Sequence, residues 1–227
     1  IDKSFLYVKG IYYWLCINIL LFGLTIFEIL KNNKNSYINF FKKHSLAIII
    51  SSVLITLSIY NCKPEFRIFS DEMVLLSTSQ NIYESNECLA DMSSIKHLDG
   101  NKEIFSRLID KRPALFPVLT CIIHSLIGYN YQNPFILNYL CGILILFLFY
   151  LLISFRYGRF YGILGLICLY THPLFVWYVN SAGFDILNIL CSLILFLLCW
   201  LFFKNPSIIH AEAILLFLPI LGQSRYE

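Results

Sequence analysis

Long uncharged apolar runs are the feature that most constrains how this chain can fold. Residues 135–155 read FILNYLCGILILFLFYLLISF, and residues 186–203 read ILNILCSLILFLLCWLFF. An α-helix needs about 20 apolar residues to cross the hydrocarbon core of a bilayer, so each run predicts a transmembrane helix. The composition agrees, because 14% of the residues are charged against about 25% in a soluble domain. The sequence therefore predicts an integral membrane protein.

Six such runs predict an all-α fold, a polytopic bundle of transmembrane helices. The run nearest the C-terminus is the weakest of the six, because it contains His210 and Glu212. Since the chain begins with Ile1 and reaches Glu227 soon after an apolar run, we expect one transmembrane domain, residues 1–227, that is a fragment of a longer protein. The predicted spans are about 11–30, 45–61, 135–155, 163–179, 186–203 and 208–222.

A seventh apolar run, 114–128 (ALFPVLTCIIHSLIG), could cross the membrane or lie on it. Cytoplasmic loops are enriched in Lys and Arg, so the lysine-rich segment 31–44 is predicted to lie on the cytoplasmic side of the membrane. If the seventh run does not cross, three more cations fall on that side, namely Arg156, Arg159 and Lys204. We therefore expect residues 113–128 to form an interfacial amphipathic helix within one long extracytoplasmic loop, 62–134.

An acidic pair, Asp71 and Glu72, stands near the start of this loop. Ser70 is a predicted N-cap, which places the pair in the first turn of a short helix. The residues that recur there at helical spacing are Leu75, Leu76, Ser79, Ile82 and Tyr83. The helix dipole favours an ionised carboxylate in a first turn, and an ionised Asp at a water–membrane boundary can accept a proton from a substrate hydroxyl. Alternatively, the pair only completes the start of a helix.

Asp185 is a second acidic candidate, at the mouth of the span 186–203 and on the same helix face as Asn188. An ionisable group at the edge of a span is expected to face the protein interior or a wet cavity. The alternative is an ordinary charge at a helix N-terminus. We expect Asp71 and Asp185 to share one outward-facing cavity, with helix 113–128 on its rim.

Cations accompany these acids on the same predicted side. Lys111 and Arg112 directly precede Pro113, which suits the first turn of a helix, and Arg225 follows the last span. Such cations could bind a lipid phosphate or simply anchor the chain at the interface.

Two partner classes find no support in the sequence. The net charge of +3 is small, and no Lys/Arg cluster is interleaved with aromatic residues as in a nucleic-acid surface. The eight cysteines are scattered, without metal-ligand spacing, so we assign no metal site. His210 and Glu212 are two residues apart and point to different helix faces.

The order of these motifs carries more information than any one of them. A span is followed by SDEMVLLSTSQNIYE, then by KRPALFPVLTCIIHSLIG, a long span closed by RYGRF, and THPLFVWYVNSAGFD. This order resembles the N-terminal half of a family C (GT-C) glycosyltransferase, of the protein O-mannosyltransferase and aminoarabinose transferase type. The basic-Pro motif of that family is similar to Arg112–Phe116, and its Pro-Leu-Phe stretch to Pro173–Phe175. The resemblance covers about residues 45–227, and the span 11–30 departs from the family's usual start.

The resemblance implies a GT-C-type bundle and a membrane enzyme. Such an enzyme transfers a hexose or pentose, with inversion, from a polyprenyl-phosphate donor to a hydroxyl of a protein, lipid or glycan. The implied catalytic residues are Asp71 as general base, Glu72 as its acidic neighbour and Asp185 as the second-loop acid. The implied phosphate ligand is Arg112, and we add Lys111 and Arg225 as further candidates.

The resemblance also implies a location and leaves two points open. We expect a multi-pass protein of a bacterial inner or plasma membrane, in contact with membrane lipid, with the active site on the extracytoplasmic side. Some members of the family bind a divalent metal and others do not, so the cofactor stays open, as does the acceptor.

Two other classes of protein remain as alternatives. A polytopic transporter or flippase would use Asp71 and Asp185 as coupling carboxylates, usually near the bilayer midplane. A non-enzymatic membrane assembly subunit would need no acidic cluster.

Overall fold

The computed structural model describes residues 6–32, 34–96, 102–109 and 112–225, and they form a bundle of helices with one β-hairpin. A single π-helical turn, Leu6–Gly10, precedes the first α-helix. The α-helices are α1 (Ile11–Asn32), α2 (Lys34–Asn61), α3 (Phe69–Ser85), α4 (Leu115–Ile127), α5 (Asn133–Tyr157), α6 (Arg159–Tyr170), α7 (Pro173–Val179), α8 (Asp185–Lys204) and α9 (Ile208–Gly222). The strands are β1 (Leu89–Lys96) and β2 (Lys102–Ile109).

Four helices of the described chain are long and apolar enough to cross a membrane. These candidate spans are Val8–Lys31, Lys42–Asn61, Asn133–Tyr157 and Asp185–Lys204. Each contains one of the apolar runs from which a transmembrane helix was predicted. The prediction of an all-α fold is therefore confirmed, and by length and composition these four helices are candidate membrane spans.

The two remaining predicted spans have a different form. The run 163–179 is divided between α6 and α7, whose axes are bent by 72°, and counting this pair as one span gives five. The break lies at Pro173, because proline disfavours helical geometry in the residue before it. His172 accordingly has an extended backbone, with φ −71° and ψ 119°. The run 208–222 is helical, but α9 has only 15 residues.

The hairpin is an element that the sequence analysis missed. Strands β1 and β2 pair antiparallel, from Leu89 opposite Ile109 to Lys96 opposite Lys102. The hairpin is fastened to α3 by the Asn81 side-chain amide, which donates to the carbonyl of Leu89 at 2.8 Å. The predicted outer loop thus contains a β-hairpin besides its two helices.

Packing of α3 on α4 fixes the position of the acidic pair. Five apolar side chains of these two packed helices are at most 1% exposed: Leu75, Ile82, Leu115, Phe116 and Val118. Full burial of such a side chain contributes about 1.5–3 kcal/mol. The interface therefore holds α3 firmly against the rest of the bundle.

A buried histidine, His124, joins the three helices α3, α4 and α5. His124 of α4 contacts the Ser79 hydroxyl through Nε2 at 3.2 Å and the Asn133 side-chain amide through Nδ1 at 2.6 Å. Buried polar groups of this kind are normally satisfied by hydrogen bonds. His124 is therefore a structural residue that ties α3 to α4 and α5.

The long helices run between the same two ends of the bundle. The Glu65 N–H, after α2, donates to the Asn180 carbonyl, before α8, so these two connections meet. We call this the site end. A 20-residue helix is about 30 Å long, so the far end of α8 lies about that distance away. That far end, the basic end, carries Lys42, Lys43, Arg156, Arg159 and Lys204.

Candidate functional site

A cavity of about 360 Å³ lies at the site end, between the start of α3, α7 and the start of α8. Three carboxylates, two guanidinium groups and several aromatic rings face it. Its lining includes Arg67, Asp71, Glu72, Trp177, Tyr178, Phe184, Asp185 and Arg225. Carboxylates from segments more than one hundred residues apart thus meet at one concave surface.

Asp71 lies in the first turn of α3 and is the most accessible of the three acids, with 44% of its side chain exposed. Its Oδ1 atom contacts Nη2 of Arg112 at 2.5 Å. The prediction that Ser70 caps this helix was wrong. The helix begins at Phe69, with Ile68 at the N-cap position and no side-chain cap, because the residues before Ser70 already adopt the helical path.

Glu72 points into the protein although it follows Asp71 directly. It is 3% exposed, and its Oε2 accepts the backbone N–H of Arg67 at 2.9 Å. The backbone N–H groups of Ala182 and Ile68 also interact with its carboxyl group. Burial raises the pKa of Glu72 because removal of water outweighs these hydrogen bonds.

Asp185 begins α8 and lies 3.4 Å from Nη1 of Arg225. Arg225 is brought there by the segment that follows α9. Ser224 donates to the Asn188 side-chain oxygen at 2.9 Å, and the Gln223 carbonyl accepts the N–H of Leu115 at 3.1 Å. This segment therefore connects the starts of α4 and α8 beside the cavity.

Two cavity residues were missed by sequence reasoning. The Arg67 guanidinium lies 4.4 Å from the centre of the Trp177 ring, in a cation–π contact, and its Nη1 is 3.5 Å from Glu65. Arg67 lies two residues before the acidic helix, and Trp177 lies inside the motif THPLFVWYVNSAGFD. Their positions in sequence were thus a usable signal, but their contact is set by the bend between α6 and α7.

The predicted site residues fall into three groups. Asp71, Glu72, Asp185 and Arg225 line the cavity, whereas Arg112 reaches it by contacting Asp71. Lys111 lies outside the described residues. No group of three or more His, Cys, Asp or Glu side chains suited to a metal ion occurs in the part of the chain that the structure describes.

The predicted place of helix 113–128 on the cavity rim was wrong. None of its residues is in the lining, and α4 packs against α3 instead. The physical reason is its apolar surface, because the side chains of Leu115, Phe116 and Val118 are buried within the bundle.

Comparisons of the chain with protein-family models, with curated proteins and with solved structures gave no match.

Proposed function

We propose that this protein is a membrane glycosyltransferase that moves a sugar from a polyprenyl-phosphate donor to an acceptor hydroxyl. The supporting observation is the single cavity in which Asp71 and Asp185 meet arginines and aromatic rings. Carboxylates and guanidinium groups suit sugar hydroxyls and phosphate, and aromatic side chains commonly line ligand pockets.

Asp71 is the general base of the proposed reaction. A base must lie within hydrogen-bond reach of the proton that it accepts. Asp71 has the most exposed carboxylate of the three, which leaves room for an acceptor hydroxyl. Arg112, in contact with Asp71, orients that carboxylate.

Arginines stabilise the departing phosphate in this proposal. Negative charge develops on the phosphate as the sugar is transferred, and preorganised cations favour that charge. Arg67 and Arg225 both line the cavity, and Arg112 lies beside it. Arg67 and Arg225 are therefore the proposed phosphate ligands within the cavity.

The cavity faces the extracytoplasmic side in this proposal. Positive charges favour the cytoplasmic side of a membrane, and the basic end is opposite the site end. An impermeant thiol reagent applied to intact cells should label Asn130→Cys and not Arg159→Cys, each in a background without accessible native cysteines. The reverse pattern would invert the proposed orientation.

The transporter alternative has less support. Coupling carboxylates usually lie near the bilayer midplane, whereas Asp185 is the first residue of its helix and Asp71 lies in the first turn of α3, outside the four candidate spans. The deciding experiment is transfer of radiolabelled sugar by the purified full-length protein, with a panel of acceptors. Absence of transfer by the parent protein, together with ion or sugar uptake that Asp71→Asn abolishes, would favour transport.

A further inference from the structure

Adjacent acids in α3 have opposite surroundings. Asp71 faces the cavity with 44% of its side chain exposed, whereas Glu72 is 3% exposed. Of the three backbone N–H groups near Glu72, that of Arg67 donates to Oε2 at 2.9 Å, and those of Ile68 and Ala182 lower the pKa of the carboxyl group. Two of these precede α3, and the third belongs to a turn more than one hundred residues later.

That turn, residues 180–184, connects α7 to α8 and is held from its other side by Asn138. The Asn138 side-chain amide donates to the carbonyls of Ser181 at 2.8 Å and Gly183 at 2.9 Å. Asn138 therefore satisfies carbonyl groups of the turn, while the Ala182 N–H lies close enough to the Glu72 carboxyl group to lower its pKa. Ser181 and Ala182 are at most 2% exposed, so water does not compete for these groups.

Glu72 also lies close to the second acid of the site. A Cβ atom placed on Gly183 would be 3.6 Å from Glu72 Oε1 and 3.6 Å from Asp185 Oδ2. The two carboxyl oxygens are therefore separated by no more than twice that distance. Any shift of the turn changes the position of Asp185, since α8 begins directly after it.

We propose that Glu72 is a positioning residue that fastens the 180–184 turn to the start of α3. Its carboxyl group accepts the backbone N–H of Arg67 before α3 and lies against Gly183 of the turn, and so fixes Asp185 relative to Asp71. Proton transfer in the reaction belongs to Asp71 alone. The catalytic consequence rests on the proposed glycosyl transfer, whereas the mechanical connection does not.

Hydrogen–deuterium exchange of the purified full-length protein tests the connection directly. Glu72→Gln replaces one acceptor oxygen by an N–H donor that faces backbone donors. The amides of residues 180–184 should then exchange about 5- to 150-fold faster, the range expected for losing a buried hydrogen bond. Asp71→Asn is the matched control, and its exchange in this turn should equal that of the parent.

The α8 interior, residues 190–198, reports on folding and should exchange at the parent rate in every variant. If Glu72→Gln does not fold, Glu72→Asp carries the test, because it keeps the charge but shortens the reach by one methylene group. Unchanged exchange at 180–184 in the folded variant would overturn the proposal.

Transfer kinetics separate this inference from the proposed function. A positioning role lowers turnover in Glu72→Gln while the shape of the pH–rate profile stays that of the parent. Faster amide exchange at 180–184 in Glu72→Gln, with no sugar transfer by the parent protein, would support the positioning role of Glu72 and reject the proposed transferase function. Normal sugar transfer together with unchanged amide exchange in Glu72→Gln would reject the positioning role of Glu72 and retain the proposed transferase function.

Discussion

Two acidic helix starts face the same cavity but differ in what surrounds them. Asp71 contacts Arg112, 41 residues later, at 2.5 Å, and Asp185 contacts Arg225, 40 residues later, at 3.4 Å. Asp71 starts a helix outside the candidate spans, with 44% of its side chain exposed, whereas Asp185 starts a long apolar helix and has 26% exposed. The same local motif therefore gives a more accessible carboxylate, paired with Arg112, in one place and a less accessible carboxylate, paired with Arg225, in the other.

The largest expected effect separates the two acids by turnover. Asp71→Asn keeps the shape of the side chain but removes a proton acceptor, so kcat for sugar transfer should fall about 10²–10⁴-fold. Asp185→Asn should cost roughly tenfold, near the lower end of the range for losing a hydrogen bond to a charged group. Steady-state transfer assays measure both, and equal losses would contradict the comparison. Matching melting temperatures establish that both variants are folded.

The next effect concerns donor affinity. Arg67 lines the cavity in a cation–π contact with Trp177, so Arg67→Ala should weaken binding of the polyprenyl-phosphate donor about 10- to 150-fold. Arg112→Ala should weaken it less, because Arg112 contacts Asp71 outside the cavity lining. Titration of labelled donor into each detergent-solubilised variant gives the two dissociation constants. A larger loss for Arg112→Ala would assign the phosphate to Arg112.

Glu72 predicts a smaller, pH-dependent effect on stability. Burial raises its pKa above the ordinary value of 4.5, so the native state holds this proton more tightly than the unfolded chain. The stability that results is fully present below about pH 4.5 and is lost as the pH rises through the native pKa, by about 1.4 kcal/mol for each pKa unit of the shift.

Thermal unfolding at pH 4 and pH 7 checks this sign against Glu72→Gln, which does not titrate. The parent's stability relative to the variant should be greater at pH 4 than at pH 7. An advantage that grows with pH would mean that the native state favours the ionised carboxylate.

Long apolar runs made most of the fold predictable, since a membrane imposes helix length and composition directly. The bend at Pro173 was missed because a proline at a helix start and one that breaks a span look alike in an apolar run. The hairpin was missed because the sequence pattern does not show the contact that fastens it to α3, between the Asn81 side chain and the Leu89 carbonyl.

The site was predictable where local chemistry determines it. Acids at helix starts, such as Asp71 and Asp185, can be identified from their charge and from their position at the edge of an apolar run. The partners cannot, because the contacts of Arg225 with Asp185 and of Arg67 with Trp177 depend on how distant segments fold back. The rim position of helix 113–128 failed for the same reason.

The smallest effect compares the two ion pairs themselves. Partly exposed pairs contribute about 0.2–1 kcal/mol, because water screens the charges and two long side chains lose freedom. Both pairs are partly exposed, and the contact of Asp71 with Arg112 is the shorter. Double-mutant cycles to alanine, read from chemical unfolding, should therefore give a coupling free energy below about 1 kcal/mol for both pairs, with the larger value for Asp71 and Arg112.

A larger coupling between Asp185 and Arg225 would identify that pair as the structural anchor of the cavity and Asp71 as the more weakly held acid. That result would still agree with an Asp71 that exchanges Arg112 for an acceptor hydroxyl when substrate binds, so the cycle should be repeated with donor bound. Loss of the Asp71–Arg112 coupling on donor binding would show that Arg112 moves to the phosphate, whereas an unchanged value would keep Arg112 as the partner of Asp71.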